Sequence, residues 1–182
     1  MTGTRTMRAA SLAVLIALCQ FAEAEPITKV FYSGYFTGYF PTSDLEGSTL
    51  FVSEGPGIGI KLGRGGYISG MVITHEKENL DADFNLADYP LYLYGHKNTD
   101  HLPPTIAEPF VNSLKILKSS LEGPVFDTVK IDGATVYTAC SHRCEAIVVQ
   151  ADQSEQILHL TSDGLTQADI LALVKGDTNA TK

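Results

Sequence analysis

The sequence has no long hydrophobic run and no surplus of basic residues. Its longest apolar stretch covers residues 12–22 and includes Gln20, so it is well short of the roughly 20 residues of a membrane-spanning helix. Lys and Arg number 13 against 21 Asp and Glu, and the basic residues are scattered among the acidic ones. Because phosphate backbones are bound by clustered Lys and Arg, we expect no nucleic-acid partner and no transmembrane span in the mature chain.

Recognisable catalytic motifs are also missing. There is no Gly-x-Ser-x-Gly elbow for a hydrolase nucleophile. The glycine-rich residues 55–66 lack the Gly-Lys-Ser/Thr of a phosphate-binding loop, and Asn79 stands where a zinc helix beginning at His75 needs a second His. We therefore assign no catalytic residue, no metal site and no cofactor. A hydrolase without a visible motif stays open, and a Ser within hydrogen-bond reach of His96 or His101 would support it.

One acidic loop carries part of a calcium-binding pattern. Asp81, Asp83 and Asn85 occupy the first three ligand positions of such a loop. However, Leu86 stands where the pattern needs Gly, and Tyr92 stands where it needs a bidentate Glu. We interpret these residues as a solvated acidic loop.

The first 24 residues have the parts of a secretory signal peptide. Two arginines precede the apolar run, and Ala22-Glu23-Ala24 supplies the small-x-small pattern of a cleavage site. We predict that residues 1–24 are removed and that residues 25–182 form one exported domain with a flexible tail at 177–182. A lipoprotein anchored through Cys19 is the alternative, but Leu18 does not fit the lipobox pattern.

The predicted mature chain is strongly acidic. Removal of residues 1–24 takes away Arg5, Arg8 and Glu23, which leaves 11 basic and 20 acidic residues and a net charge of −9. Met7 is an equally good start codon, because the segment that follows it still has an Arg and the full apolar run. Export is predicted with either start, to the periplasm or to the extracellular medium.

Cleavage would leave two cysteines, Cys140 and Cys144. In an oxidising compartment an even pair favours a disulfide. Both flanks are β-rich, so the two cysteines are predicted to face each other across a short hairpin, at a separation that a disulfide can bridge. A redox dithiol or a metal site that includes His142 is the alternative, although a fourth ligand and the Cys-x-x-Cys spacing are lacking.

The C-terminal half predicts a four-stranded antiparallel meander. Its β-rich runs cover residues 125–131, 134–140, 144–150 and 156–161. Asp132-Gly133, between the first two runs, is typical of a type I′ hairpin turn. Each later connection is also short, so neighbouring runs are expected to pair.

Two helices are predicted to flank this meander. Residues 104–121 have apolar side chains at three- and four-residue steps, which indicates one long amphipathic helix. After the last strand, Thr166 suits an N-cap and Gly176 a C′ position around a short apolar helix. We expect this short helix to pack on the sheet beside the long one.

The N-terminal half contains further probable strands at residues 28–32, 49–53, 57–62 and 67–74. Because strands and helices do not alternate as they would in a parallel sheet, the order predicts an α+β fold. We expect an antiparallel β-sheet that carries one long amphipathic helix and a short C-terminal helix.

An aromatic segment at residues 31–40 is the most unusual local feature. It holds three of the chain's eight Tyr residues and three of its eight Phe residues. These six residues form pairs that are separated by Ser-Gly and Thr-Gly. As one strand, it would place three rings on each face. A buried central strand is one interpretation. The other is a ligand-binding surface for sugar rings or a protein partner, with the candidate residues Tyr32, Tyr35, Phe36, Tyr39, Tyr92 and Tyr94.

Three parts of this sequence together resemble the PsbP-like fold group of photosystem II extrinsic proteins and related bacterial envelope lipoproteins. They are Phe40-Pro41 in the aromatic region, the long amphipathic helix, and the run at residues 131–137 that opens the meander. The resemblance covers most of residues 28–176. It implies a non-enzymatic binding or assembly protein, and no catalytic residue is carried over.

These observations predict an exported, non-enzymatic binding protein of the cell envelope. Its partner would be an envelope protein or a glycan, and the oligomeric state is left open. A carbohydrate-binding module that uses the aromatic segment is the alternative. Exposure of the Tyr35 and Tyr39 hydroxyls in a groove would favour that alternative.

Overall fold

The computed structural model describes residues 25–32, 35–52, 57–131, 133–153 and 155–176. The predicted signal peptide at 1–24, which includes Cys19, and the predicted tail at 177–182 lie outside these residues. Within them the chain is an α+β fold built on antiparallel sheets, so the predicted fold class is confirmed.

A separate two-stranded hairpin begins the fold. Strand β1, Ile27–Tyr32, pairs with strand β2, Phe36–Pro41, and Tyr32 lies opposite Phe36. The prediction of one continuous aromatic strand over residues 31–40 is therefore wrong. Side-chain alternation is the same before and after the reversal, so the aromatic pattern alone does not reveal it. The Ser33-Gly34 dipeptide, which is typical of turns, was the available signal.

The main sheet has seven antiparallel strands. They are β3 (Thr49–Val52), β4 (Gly57–Lys61), β5 (Tyr67–Ile73), β6 (Val125–Ile131), β7 (Ala134–Cys140), β8 (Arg143–Gln150) and β9 (Ile157–Asp163). Their spatial order is β3-β4-β5-β9-β8-β7-β6. Strands β6 to β9 form the predicted four-stranded meander, and β9 joins it to the N-terminal strands by pairing with β5.

Five helices are present among the described residues. They are α1 (Thr42–Leu45), α2 (His75–Glu78), α3 (Tyr89–Leu93), α4 (Pro104–Ser120) and α5 (Gln167–Lys175), and a 3₁₀ turn, Leu86–Asp88, precedes α3. The long helix α4 and the short helix α5 confirm the prediction. Thr166 and Asp169 form a reciprocal capping box at the start of α5, and Gly176 ends it with a φ of 74°.

The two sheet faces bury separate hydrophobic clusters. On the hairpin face, the inward rings of β1 and β2 and the helix α5 pack on residues such as Val136, Val148 and Leu158. On the α4 face, α3 and α4 pack on residues such as Ile147 and Ile157. The prediction that α5 lies beside the long helix is therefore wrong. Both faces of the meander are apolar, and the hairpin leaves room for α5 on its own side.

Candidate functional site

The aromatic residues that face inward from the hairpin belong to the core. Tyr32, Phe36 and Phe40 are at most 6% exposed. The Tyr32 ring lies directly over Gly70 of β5, where an added Cβ would stand 2.4 Å from the Tyr32 ring. Burial raises the pKa of the Tyr32 phenol, and its hydroxyl has no hydrogen-bond partner among the described residues. These three rings attach the hairpin to the sheet.

The outer face of the hairpin carries two aromatic side chains, Phe31 and Tyr39. Phe31 is 61% exposed, and Tyr39 is half-buried. Lys29, which pairs with Tyr39 across the hairpin, places its Nζ atom 5.6 Å from the centroid of the Tyr39 ring. A cation at this distance attracts the ring face, so Lys29 steadies Tyr39 at the surface.

A cleft of about 620 Å³ lies between the second hairpin strand and one end of the main sheet; we call it the hairpin cleft. Residues of β2 form one wall, and Val174 of α5 adjoins it. The β6–β7 turn and the chain between β8 and β9 form the opposite wall. The lining combines aromatic rings with polar side chains, which are Thr37, Gln150, Asp152 and Gln153.

Tyr35 holds the tip of the hairpin against this opposite wall. Its hydroxyl donates a hydrogen bond to the carbonyl oxygen of Gln156, at 2.5 Å. Burial raises the pKa of the Tyr35 phenol, and the negative charge of Asp152 adds to the rise. The Tyr35 hydroxyl is therefore engaged by the protein itself, and Tyr39 is the more accessible phenol of the cleft. Exposure of both hydroxyls in a groove, which would have favoured the sugar-binding alternative, is therefore not found, because Tyr35 is buried; Tyr39 is half-buried and lines the cleft.

The structure places Tyr92 and Tyr94 on the opposite face of the main sheet from the hairpin. Both belong to the cluster on the α4 face, Tyr92 within α3 and Tyr94 immediately after it. The Tyr92 hydroxyl is 2.9 Å from Nε2 of His101. Tyr94 is buried against Phe126, and its hydroxyl is unpartnered within the described part of the chain. These two residues do not extend the aromatic surface of the hairpin.

The acidic loop borders a second cleft of about 350 Å³ on the α4 face. Asp81, Asp83 and Asp88 line it together with Tyr92. Asp88 is already paired with Lys97, whose Nζ lies 2.8 Å from its carboxylate. Over residues 25–176, apart from the short undescribed gaps, no group of three or more His, Cys, Asp or Glu could hold a metal ion.

The histidines proposed for a hydrolase contact aromatic residues. His96 lies edge-on to Phe126, and His101 meets the Tyr92 hydroxyl. Ser141 is 3.1 Å from Nδ1 of the neighbouring His142. However, the Ser141 hydroxyl donates its proton to the backbone carbonyl of Leu121, so this pair is not arranged for nucleophile activation.

Cys140 and Cys144 are joined by a disulfide. They lie opposite each other in β7 and β8, with their Cα atoms 4.2 Å apart. The predicted bridge across the hairpin is therefore confirmed. No helix in the described part of the chain is both long and apolar enough to cross a membrane. A disulfide-bonded fold of this kind is compatible with export.

Comparison of the chain with known protein families, curated proteins and solved structures finds no match. The functional argument accordingly rests on the geometry of the hairpin cleft. Aromatic rings there provide apolar contact area, while amides, a hydroxyl and one carboxylate offer hydrogen-bond donors and acceptors. Such a lining can hold and orient a ligand.

Proposed function

We propose that this protein is an exported, non-enzymatic binding protein of the cell envelope and that its ligand occupies the hairpin cleft. The observation that carries the proposal is the cleft itself, which has about 620 Å³ of space and a lining of mixed aromatic and polar character. Ligand sites in proteins are concave and of this size, with a few polar groups among apolar ones. The resemblance to PsbP-like proteins agrees with a binding role.

The chemistry of the lining favours a carbohydrate ligand. Sugar rings present C–H faces that pack on aromatic rings, and hydroxyls that both donate and accept hydrogen bonds. Tyr39 supplies an accessible ring, Gln150 and Gln153 supply amides, and Asp152 supplies an exposed carboxylate. Among the described residues of this lining, Asp152 is the sole charged side chain, so a neutral glycan segment suits the cleft better than an anionic one.

Export is part of the same proposal. The disulfide between Cys140 and Cys144 needs an oxidising compartment to persist. The first 24 residues carry the sequence pattern of a cleavable signal peptide. Together these features support delivery of residues 25–182 to the periplasm or the extracellular medium, where envelope glycans are available.

The test is binding of residues 25–182 to a glycan array. Tyr39→Ala removes the accessible ring and Asp152→Asn removes the carboxylate, and each should weaken binding at least about tenfold if it costs one good contact. Asp83→Asn is the matched control, because it neutralises an exposed carboxylate that lines the other cleft. Equal losses in Asp152→Asn and Asp83→Asn would contradict a site in the hairpin cleft.

A protein ligand at the same cleft is the second candidate, supported by the exposed Phe31 on the outer face of the hairpin. Crosslinked capture from the native envelope fraction, repeated with Tyr39→Ala, distinguishes the two. If one protein is captured stoichiometrically by the native chain and not by Tyr39→Ala, and if no glycan on the array binds, the ligand of the cleft is a protein and not a glycan. No ligand in either experiment would contradict the binding role.

A further inference from the structure

Strand β3 leaves one edge of the main sheet open. It is the outermost strand and pairs only with β4 among the described strands. All four of its residues are exposed, with Leu50 at 63%, Phe51 at 42% and Val52 at 74%. Three consecutive apolar side chains at a sheet edge are unusual, because such an edge can pair with another chain.

The opposite edge of the same sheet is protected. Strand β6 also has an exposed valine, Val125, at 68%. However, β6 carries the charged residues Asp127 and Lys130, and charges at an edge discourage pairing. Asp127 also accepts a hydrogen bond from the Gln167 amide of α5, at 2.9 Å. Strand β3 therefore lacks the charged residues that protect β6 at the other edge of the sheet.

Both faces of β3 are apolar. On the hairpin face, Leu50 and Val52 lie opposite Ile60 and Ile58 of β4. On the α4 face, the Phe51 ring folds over Gly59, where an added Cβ would be 2.1 Å from the ring. From there it stacks with the Tyr67 ring, at a centroid distance of 6.0 Å and an angle of 12°. A strand added beside β3 would thus find an apolar surface on each side.

We propose that β3 pairs with β3 of a second copy of this chain, in an antiparallel and two-fold symmetric arrangement. The free backbone N–H and C=O groups of an edge strand are complementary to another extended backbone, which identifies a polypeptide as the occupant. A second copy fits because β3 is self-complementary. When Phe51 faces Phe51 of the second copy, Leu50 faces its Val52, so every apolar side chain finds an apolar partner on its own face.

This dimer is weak and salt-dependent. Three paired residues of β3 on each side, Leu50 to Val52, bury less than the roughly 1,200 Å² of a stable interface, so association belongs to the upper micromolar to millimolar range. The strand has no charge of its own, but the net charge of −9 that follows from removing Arg5, Arg8 and Glu23 makes two copies repel each other. Added salt screens this repulsion and should strengthen the dimer.

Sedimentation equilibrium of residues 25–182, from micromolar to millimolar concentration, tests the proposal. Val52→Lys should raise the dimer dissociation constant about tenfold, since two Leu–Val pairs at up to about 1 kcal/mol each are lost. Val125→Lys is the matched control, a similarly exposed valine on the protected edge, and should dimerise like the native chain. A monomer at every concentration, or equal losses in the two variants, would overturn the proposal.

Crosslinking tests the register independently. In the proposed pairing, two copies of Phe51→Cys have their Cα atoms about 4.5 to 5.5 Å apart, which a disulfide can bridge. Two copies of Val52→Cys are offset along the strands and stand roughly 8 Å apart, which a disulfide cannot bridge. Faster covalent dimer formation by Phe51→Cys supports the register, whereas equal rates would contradict it. The test does not depend on the hairpin cleft or its ligand.

Discussion

Gly70 permits the contact by which the hairpin is attached to the sheet, and its replacement by Ala gives the sharpest test of the fold. An added Cβ would stand 2.4 Å from the Tyr32 ring and 3.0 Å from a Leu160 methyl group. Tyr32 is only 2% exposed, so the ring cannot move aside without opening the core. Overpacking of this kind costs about 1 to 3 kcal/mol. The reduced entropy of the unfolded chain offsets about 0.4 to 1 kcal/mol of this cost.

Gly59 provides the matched control for this substitution. It also lies in a strand beneath an aromatic ring, and its added Cβ would be 2.1 Å from Phe51. Phe51, however, is 42% exposed and can rotate into solvent. Loss of its stacking with Tyr67 would cost about 0.5 to 1.5 kcal/mol, which the entropy term nearly cancels. The added Cβ atoms at Gly70 and Gly59 would therefore stand at similar distances from a ring, but only the substitution at Gly70 should destabilise the fold substantially.

Urea denaturation followed by circular dichroism measures both effects. We expect Gly70→Ala to lower the free energy of unfolding by about 1 to 2 kcal/mol. Each kcal/mol of destabilisation should lower the melting temperature by about 2 to 4 °C. Gly59→Ala should change the stability by less than about 0.5 kcal/mol. If Gly59→Ala destabilised the protein as much as Gly70→Ala, the attachment of the hairpin through Tyr32 would be refuted.

Three further outcomes are expected. Replacing both Cys140 and Cys144 by Ser should lower the free energy of unfolding by about 2 kcal/mol, because the bridge closes only a short loop; unchanged urea midpoints would argue against this. The mass of the exported protein should correspond to a chain that begins at Glu25 and has lost two hydrogens, and two free thiols on labelling would contradict the bridge. Burial raises the pKa values of the Tyr32 and Tyr35 phenols in the folded chain. The free energy of unfolding should therefore be constant below about pH 10 and fall as the pH rises further, because the unfolded chain loses these protons at a lower pH than the folded chain does. Constant stability above pH 10 would show that the two phenols are not buried in solution.

The C-terminal half could be predicted from the sequence because its signals are local. Asp132-Gly133 indicated the turn between β6 and β7, and Thr166 and Gly176 marked the ends of α5. The pairing of Cys140 with Cys144 followed from two β-rich runs separated by a short loop. In each case the deciding interaction joins residues close in sequence, so a short window contains the needed information.

The candidate site was predicted only in part. Three of the candidate aromatic residues, Tyr35, Phe36 and Tyr39, line the hairpin cleft, but the strand reversal and the position of Tyr92 and Tyr94 on the other sheet face were missed. The polar wall of the hairpin cleft was also missed. Gln150 ends strand β8 and Asp152 follows it, and both lie more than 100 residues after Tyr39, so their approach to Tyr39 depends on how the hairpin crosses the sheet.

The sequence by itself determined the α+β class, the meander, the long and short helices and the disulfide, because hydrophobic periodicity and turn residues specify local structure. The tertiary structure decided which face each helix covers, which aromatic rings are buried, and that β3 rather than β6 is the open edge. Those outcomes depend on contacts between distant segments. The same alternating pattern of Tyr and Phe is compatible with a core strand and with a surface hairpin until the packing against Gly70 selects one of them.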